Sequence, residues 1–172
     1  MAAVEGAFAG GDERARRVLT DGLERFGVRQ DALARYLADT LAQPLDPPAL
    51  ALGRTLGVAV FMAFEASPGA RLRRLDVDAV AAADAALSAD EELRRTDPLD
   101  ALDSEDIVAI EQPALVAFVN EQIGLTLERH AESIDVDDVA VVFRAILVEI
   151  LALSWAALPP PGYPAEGEEP MA

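Results

Sequence analysis

The sequence contains no cysteine and no lysine, and it has a single histidine, His130, and a single asparagine, Asn120. Without cysteine the chain forms no disulfide, thiolate nucleophile or cysteine-bound zinc. One histidine also leaves little scope for nucleophilic catalysis, because His130 would be the only imidazole base. These absences weigh against an enzyme, and we predict no catalytic residue and no cofactor.

Basic residues are also few. The 172 residues include 31 acids and 14 bases, all of them arginine, and the formal net charge is −17. Binding to the phosphates of nucleic acid needs clustered cations, so we predict no direct nucleic-acid partner. The acidity is typical of a solvated acidic surface, of a salt-adapted proteome, of a surface that docks a basic protein, or of a nucleic-acid mimic.

One long apolar run raises the question of a membrane. The run spans 139–158, where Arg144 and Glu149 would each cost about 2.5–3.5 kcal/mol to insert. Neither flank has an arginine cluster, and residues 1–11 lack the basic stretch and apolar run of a signal peptide. We therefore predict a cytoplasmic protein without a membrane span.

A short phrase recurs four times: an apolar residue, an aspartate, three variable positions, and an apolar residue followed by Ala or Val. Each aspartate is placed to cap a helix, with the flanking apolar pair closing as a hydrophobic staple. No copy has the ligand order of an EF-hand, and the chain lacks the Glu-x-x-His pairs of a di-iron bundle. The phrase therefore predicts helix starts and no metal site. The four aspartates are Asp46, Asp76, Asp103 and Asp135.

These helix starts predict an all-α fold, a single bundle of five to six helices. No strand is predicted, because alternation with period 2 is nowhere sustained. Pro113 should kink the fifth helix or divide it near Gln112. The predicted helices are 12–26, ending at Gly27; 30–42; 46–66; Asp76 to at least Leu87; Asp103 toward His130; and Asp135 to just before Pro159. The predicted organisation is a flexible N-terminus (1–11), the helical bundle domain (12–158) and a disordered, flexible Pro/Glu-rich acidic tail (159–172).

The third predicted helix has small residues at Ala49, Gly53 and Gly57, four positions apart. Glycine inside a helix costs about 1 kcal/mol relative to alanine. Their spacing therefore predicts that another helix crosses there at short distance.

Three polar residues of the fifth predicted helix, Gln122, Thr126 and His130, also recur every four positions. Such a row lies on one helix face, where it lines a possible ligand pocket or forms a hydrogen-bonded seam with a neighbour. Glu65 and Glu149 lie in apolar stretches and are further candidates for that pocket. The alternative for Glu65 is a solvated or arginine-paired carboxylate.

The last predicted helix is apolar on two faces. Such a helix either lies at the centre of a bundle or presents one face to a partner. Tryptophan and arginine are enriched at interface hot spots, which favours the second face as a contact surface. The predicted partner-binding residues are Val141, Arg144, Val148, Leu151 and Trp155.

Three functions are consistent with these features. The first is a non-enzymatic helical protein that acts through protein–protein contacts, as an adaptor, regulator or homo-oligomer. The second is a small-ligand or metal-binding bundle that uses the polar row. The third is an acidic decoy or inhibitor that occupies a basic groove on another protein.

Overall fold

The computed structural model describes residues 13–67, 71–96 and 107–158 of the chain. Within these residues the predicted all-α bundle is confirmed: six helices have ten residues or more, and one has five. In chain order the elements are α1 (Glu13–Arg29), α2 (Asp31–Thr40), α3 (Pro47–Ala66), β1 (Arg71–Leu72), α4 (Val77–Thr96), α5 (Ile107–Glu111), α6 (Pro113–Arg129), α7 (Val136–Ala156) and β2 (Ala157–Leu158). The predicted N-terminal segment 1–11, the acidic tail 159–172 and the cap at Asp103 lie outside the described residues.

Pro113 divides the predicted fifth helix in two, as expected. α5 ends at Glu111 and α6 begins at Pro113, because proline lacks the N–H that a continuous helix needs. The prediction that α1 ends at Gly27 is wrong. The backbone N–H of Gln30 donates to the carbonyl of Phe26 at 2.9 Å, so the helical hydrogen bonds continue past Gly27.

Four residues form a small antiparallel strand pair that the sequence did not predict. Arg71 pairs with Leu158 and Leu72 with Ala157, next to a hydrogen bond of 3.0 Å from the N–H of Arg73 to the end of α7. A strand of two residues is too short to show an alternating pattern. The pair ties the connection after α3 to the C-terminal end of α7.

Three of the predicted aspartate caps lie in the described residues, and all three are formed. Asp46 and Asp76 each accept a hydrogen bond from the backbone N–H three residues later, at 2.7 and 2.8 Å. Asp135 accepts one from the N–H two residues later, at 2.9 Å. These bonds satisfy N–H groups that have no partner inside a helix.

The N-termini of α3 and α7 also exchange hydrogen bonds, because an aspartate of each helix bonds to the cap residue of the other. The second carboxylate oxygen of Asp46 accepts a hydrogen bond from the N–H of Asp135 at 2.6 Å. Asp138, in the first turn of α7, accepts one from the N–H of Asp46 at 2.6 Å. In an ordinary capping box the acid at the third helical position bonds to the cap residue of its own helix. Here each helix serves the cap residue of the other, which holds the two N-termini side by side.

Farther along α3 and α7, the residues that contact each other have the same separation in sequence as the two cap residues. A β-carbon on Gly53 would stand 3.2 Å from a methyl of Val142, and one on Gly57 would stand 3.9 Å from Ile146. Both pairs are 89 residues apart, like the two cap residues, so the helices run parallel. From the other side, Leu41 would meet a β-carbon on Gly53 at 2.7 Å. The close approach predicted at the glycines is confirmed.

Replacing Asp46 with alanine should cost more than removing an ordinary cap. Asp76→Ala loses one cap bond, which typically costs about 1 kcal/mol. Asp46→Ala also leaves the N–H of Asp135 without its carboxylate, so the free energy of unfolding should fall by about 2–3 kcal/mol. Urea unfolding followed by circular dichroism measures both losses, and equal losses would contradict the exchange.

A double-mutant cycle isolates the link between the two caps. Asp46→Ala and Asp138→Ala should not be additive, because each carboxylate fixes the helix end that the other one bonds. The expected coupling is about 0.5 kcal/mol or more, whereas Asp76→Ala combined with Asp138→Ala should be additive within about 0.3 kcal/mol.

Candidate functional site

The predicted partner-binding row on α7 is not one exposed surface. Val148 and Leu151 are both 0% exposed and belong to the core, and Val141 is partly buried. Only Trp155, at 36%, is exposed. The prediction is therefore corrected, because α7 lies at the centre of the bundle and its second apolar face is covered by the chain itself.

Arg144, the charged member of that row, binds α4. One guanidinium nitrogen lies 2.7 Å from Asp84, another donates to the hydroxyl of Ser88 at 2.8 Å, and the third lies 3.4 Å from Glu91. These three residues lie on successive turns of α4, so one arginine contacts three of its side chains. Arg144 thus fastens α4 to α7.

One side chain of the predicted polar row on α6, that of Thr126, makes a hydrogen bond inside its own helix. The hydroxyl of Thr126 donates to the carbonyl of Gln122 at 2.8 Å. His130 is the C-terminal cap residue, and its backbone N–H bonds to the carbonyl of Thr126. These contacts are internal to the helix end and do not point to a ligand.

Glu65 is paired with two arginines of α1. Arg25 and Arg29 lie 3.1 and 2.9 Å from its two carboxylate oxygens. The alternative of an arginine-paired carboxylate is therefore the one observed. Glu65 joins α3 to α1, and these contacts do not suggest a role for it in a ligand site.

Two polar side chains in the described residues are buried, and only one of them is hydrogen-bonded. Gln30, 1% exposed, donates to the carbonyl of Arg73 and accepts from the N–H of Leu75, both at 2.9 Å. Glu149 is 0% exposed, and neither carboxylate oxygen has a hydrogen-bond partner in the described part of the chain. Buried polar groups are hydrogen-bonded in the large majority of cases, so Glu149 requires an explanation.

Burial raises the pKa of Glu149 well above its ordinary value of 4.5. An ionised carboxylate without a partner is strongly disfavoured in an apolar interior, so the group keeps its proton instead. Burial is the whole cause among the described residues, and no neighbouring charge contributes. Glu149 is therefore neutral to a higher pH than an exposed glutamate.

An apolar groove opens between α1, α2 and α3. Its volume is about 280 Å³, at the small end of the range for ligand pockets. Leu23 lies at the groove and is 58% exposed, and Arg54 is the charged residue that the groove contacts. The buried part of the lining is Phe26, Leu37, Leu41, Gly53, Gly57 and Val58.

Gly57 is the boundary between this groove and Glu149. A β-carbon on Gly57 would stand 3.4 Å from Oε2 of Glu149 and 3.1 Å from Cδ1 of Leu37, and both Gly57 and Leu37 line the groove. Because glycine has no side chain, the carboxyl group approaches the α3 backbone closely. An unpaired acid thus lies directly behind an apolar groove of ligand size.

A second cavity, of about 330 Å³, is lined by Phe61 and Leu72 and partly by charged groups. Arg29 is paired with Glu65, and Arg74 lies 2.7 Å from Asp31. Its polar groups already have partners inside the chain, which makes it the weaker candidate.

Two of the described helices are long and apolar enough to cross a bilayer by length and composition. They are α3 and α7, and 56% and 67% of their apolar windows are buried inside the bundle. A core helix has the same composition, so these helices are weak evidence for a membrane. Across residues 13–67, 71–96 and 107–158, no three His, Asp or Glu side chains form a group that could hold a metal ion.

Comparisons with known proteins add no family to these observations. The chain matches no protein-family model, no curated protein sequence and no solved structure. The function of the groove and of Glu149 therefore has to follow from their own chemistry.

Glu149 should make the protein less stable as the pH rises. Its native pKa is raised, so above pH 4.5 the native state holds a proton that the unfolded chain has released. The free energy of unfolding then falls by about 1.4 kcal/mol per pH unit until the native pKa is reached. Glu149→Gln removes this effect, so its stability relative to wild type should increase with pH above 4.5.

Urea unfolding between about pH 4 and about pH 8 measures this difference. The matched control is Glu121→Gln, at an exposed position of α6. Its difference from wild type should change little over the same range. A pH-independent difference for Glu149→Gln would show that the carboxyl group is solvated.

Proposed function

We propose that the chain is a small-ligand-binding helical bundle, and that the ligand occupies the groove between α1, α2 and α3. The observation that carries the proposal is Glu149, which is fully buried and without a hydrogen-bond partner in the described residues. It lies directly behind the groove, across Gly57. A concave, mostly apolar lining is the usual form of a small-molecule site, and here an unpartnered acid lies next to that lining without being part of it.

The energetics of position 149 support a role in binding. A buried polar group without a hydrogen bond costs about 1–3 kcal/mol. Glu149 lies beside Ile146 and Ile150, which are also fully buried, and methionine or leucine would fill similar space without that cost. Groups that are destabilising in this way cluster at functional sites. A ligand that offers a hydrogen bond to the carboxyl group would remove the cost in the bound state.

The groove is built on helices that the chain holds in place. Glu65 joins α3 to α1, and Leu37 and Leu41 pack α2 against the glycines of α3. A site on such elements keeps its shape in the absence of ligand, which lowers the entropic cost of binding. Burial of the ligand and of exposed Leu23 supplies about 25 cal/mol for each Å² of apolar surface removed from water.

The proposal retains the ligand-binding hypothesis of the sequence but moves the site. In the polar row of α6 the hydroxyl of Thr126 is bonded within its own helix, and Glu65 is paired with arginine. Of the residues considered for a pocket, Glu149 alone is both buried and unpartnered among the described residues.

Protein–protein contact is the second candidate, favoured by the exposed apolar residues of α1. Leu23 and Val28 are 58% and 70% exposed. Size-exclusion chromatography with light scattering of wild type and Leu23→Glu tests self-association. A dimer that Leu23→Glu dissociates would support it, and a monomer at micromolar concentration in both would remove it.

A neutral apolar probe should bind in the groove. We expect cyclohexylmethanol to shift the methyl resonances of Leu37, Leu41 and Ala38 in a saturable way, because these residues line the groove. Ala38 is exposed, so Ala38→Phe fills the groove without disturbing the core and should abolish the shifts. The measurement is a methyl NMR titration.

The matched control is Ala85→Phe, which adds the same ring at an exposed position of α4, away from the groove. It should bind the probe as wild type does. No saturable shift in wild type, or equal shifts in Ala38→Phe, would overturn the groove as a binding site.

A further inference from the structure

We infer that the ligand of this groove is an apolar molecule with one protonated amine, and that the amine pairs with the carboxylate of Glu149 across Gly57. The inference rests on the proposed function and names the chemical class of its ligand. It follows from what the groove supplies and from what Glu149 lacks.

The geometry places one acceptor next to the groove: Glu149 does not line the groove itself, but it lies across Gly57, which does. Both oxygens of Glu149 are without donors in the described residues, and Oε2 lies 3.4 Å from the position of a β-carbon on Gly57. Leu37, Ile146 and the α3 backbone surround that position. A single donor at the end of an apolar body fits this arrangement, because the lining residues are apolar except for Arg54, which is exposed.

Charge favours an ammonium group over a neutral donor. Hydrogen bonds between ions are roughly twice as strong as neutral ones, and the interaction gains strength where water is excluded. The chain itself provides no cation for Glu149, since burial is the whole cause of its raised pKa among the described residues. The net charge of −17 also attracts cations to the molecule as a whole.

The side chains next to the contact between Gly57 and Glu149 are apolar. On α2 and α7 the nearest side chains at Gly57 are Leu37 and Ile146, which are apolar. On α3 the groove contacts Arg54, which is exposed and therefore screened by water. A carboxylate ligand would pair with Arg54 instead and would leave Glu149 unsatisfied, so the experiment includes that ligand.

Binding of the amine should release a proton. Below the native pKa of Glu149, the free protein carries the carboxyl proton and the free amine is an ammonium ion, whereas the ion pair keeps only the proton of the ammonium group. The carboxyl proton leaves to solvent, and the ammonium ion keeps its own. Affinity for the amine should therefore rise up to tenfold per pH unit below the native pKa of Glu149 and become constant above it, whereas affinity for a neutral alcohol should not change.

Three probes that share one ring compare the head groups: cyclohexylmethylamine, cyclohexylmethanol and cyclohexanecarboxylate. Isothermal titration calorimetry with the whole chain at neutral pH should give an amine affinity at least tenfold above that of the alcohol. Repeating the titration in buffers of different ionisation enthalpy counts the protons released, and the amine should release protons whereas the alcohol should release none.

Two variants assign the preference to Glu149. Glu149→Gln should lose the amine preference and the proton release but still bind the alcohol. Gly57→Ala places a methyl group between the groove and the carboxyl, 3.4 Å from Oε2, so it should have the same effect. Alanine also favours the helix, by about 1 kcal/mol, which offsets its close contact of 3.1 Å with Cδ1 of Leu37, and circular dichroism checks that the variant is folded. Gly27→Ala, where a β-carbon meets nothing within 4 Å, is the control and should bind like wild type.

The outcomes separate the ligand class from the groove. Equal affinities for amine and alcohol, both lost in Ala38→Phe, would overturn the amine and leave the groove as a binding site. Preference for the carboxylate, lost in Arg54→Gln, would overturn the amine in favour of an acid. Binding of none of the three probes would overturn both proposals. An amine preference that survives in Glu149→Gln and Gly57→Ala would overturn the role of Glu149.

Discussion

The exchange of aspartate caps between α3 and α7 is the constraint on which the rest of this bundle depends. Parallel helices that begin side by side bring two positive dipole ends together, which is unfavourable unless negative charge is near. Asp46, Asp135, Asp137 and Asp138 supply that charge, and two of them cross from one helix to the other at 2.6 Å. The two most apolar helices are thereby fixed in direction and in register, and α1, α2 and α4 pack around them.

The register of α3 against α7 determines which residues of the two helices face each other. With a constant separation of 89 residues, Gly57 lies opposite Ile146, and Glu149 follows one turn later on the same side of α7. A shift of one helical turn would bring the acid against a different part of α3, where larger side chains such as Val60 and Phe61 are buried. The same caps that stabilise the helix ends therefore place the carboxyl group beside the residue with no side chain, and so beside the groove.

Local sequence signals predicted much of this fold, whereas the features that depend on tertiary packing were not predicted. The aspartate caps, the break at Pro113 and the close approach at Gly53 and Gly57 follow from the chain within a few residues of each site. The exchanged caps depend on which helix lies alongside, and so does the burial of Val148 and Leu151. A periodic pattern shows that a helix is apolar on two faces but not which helix covers each face. Glu149 had a signal of its own, because an acid in the middle of a helix that is apolar all round has no exposed side to turn to.

The contrast with Gln30 shows that Glu149 lacks a partner because of its position between packed helices. The same bundle buries Gln30 just as deeply and gives its amide a donor and an acceptor from the 73–75 connection. That connection is irregular backbone with free N–H and carbonyl groups, whereas Glu149 faces only helices, whose backbone groups are bonded to each other. Within a seam of helices, the chain can satisfy a buried carboxyl only with another side chain, and Gly57, Leu37 and Ile146 offer none. Glu149 is therefore a buried acid that the described helices leave without a partner, and it lies across Gly57 from the groove.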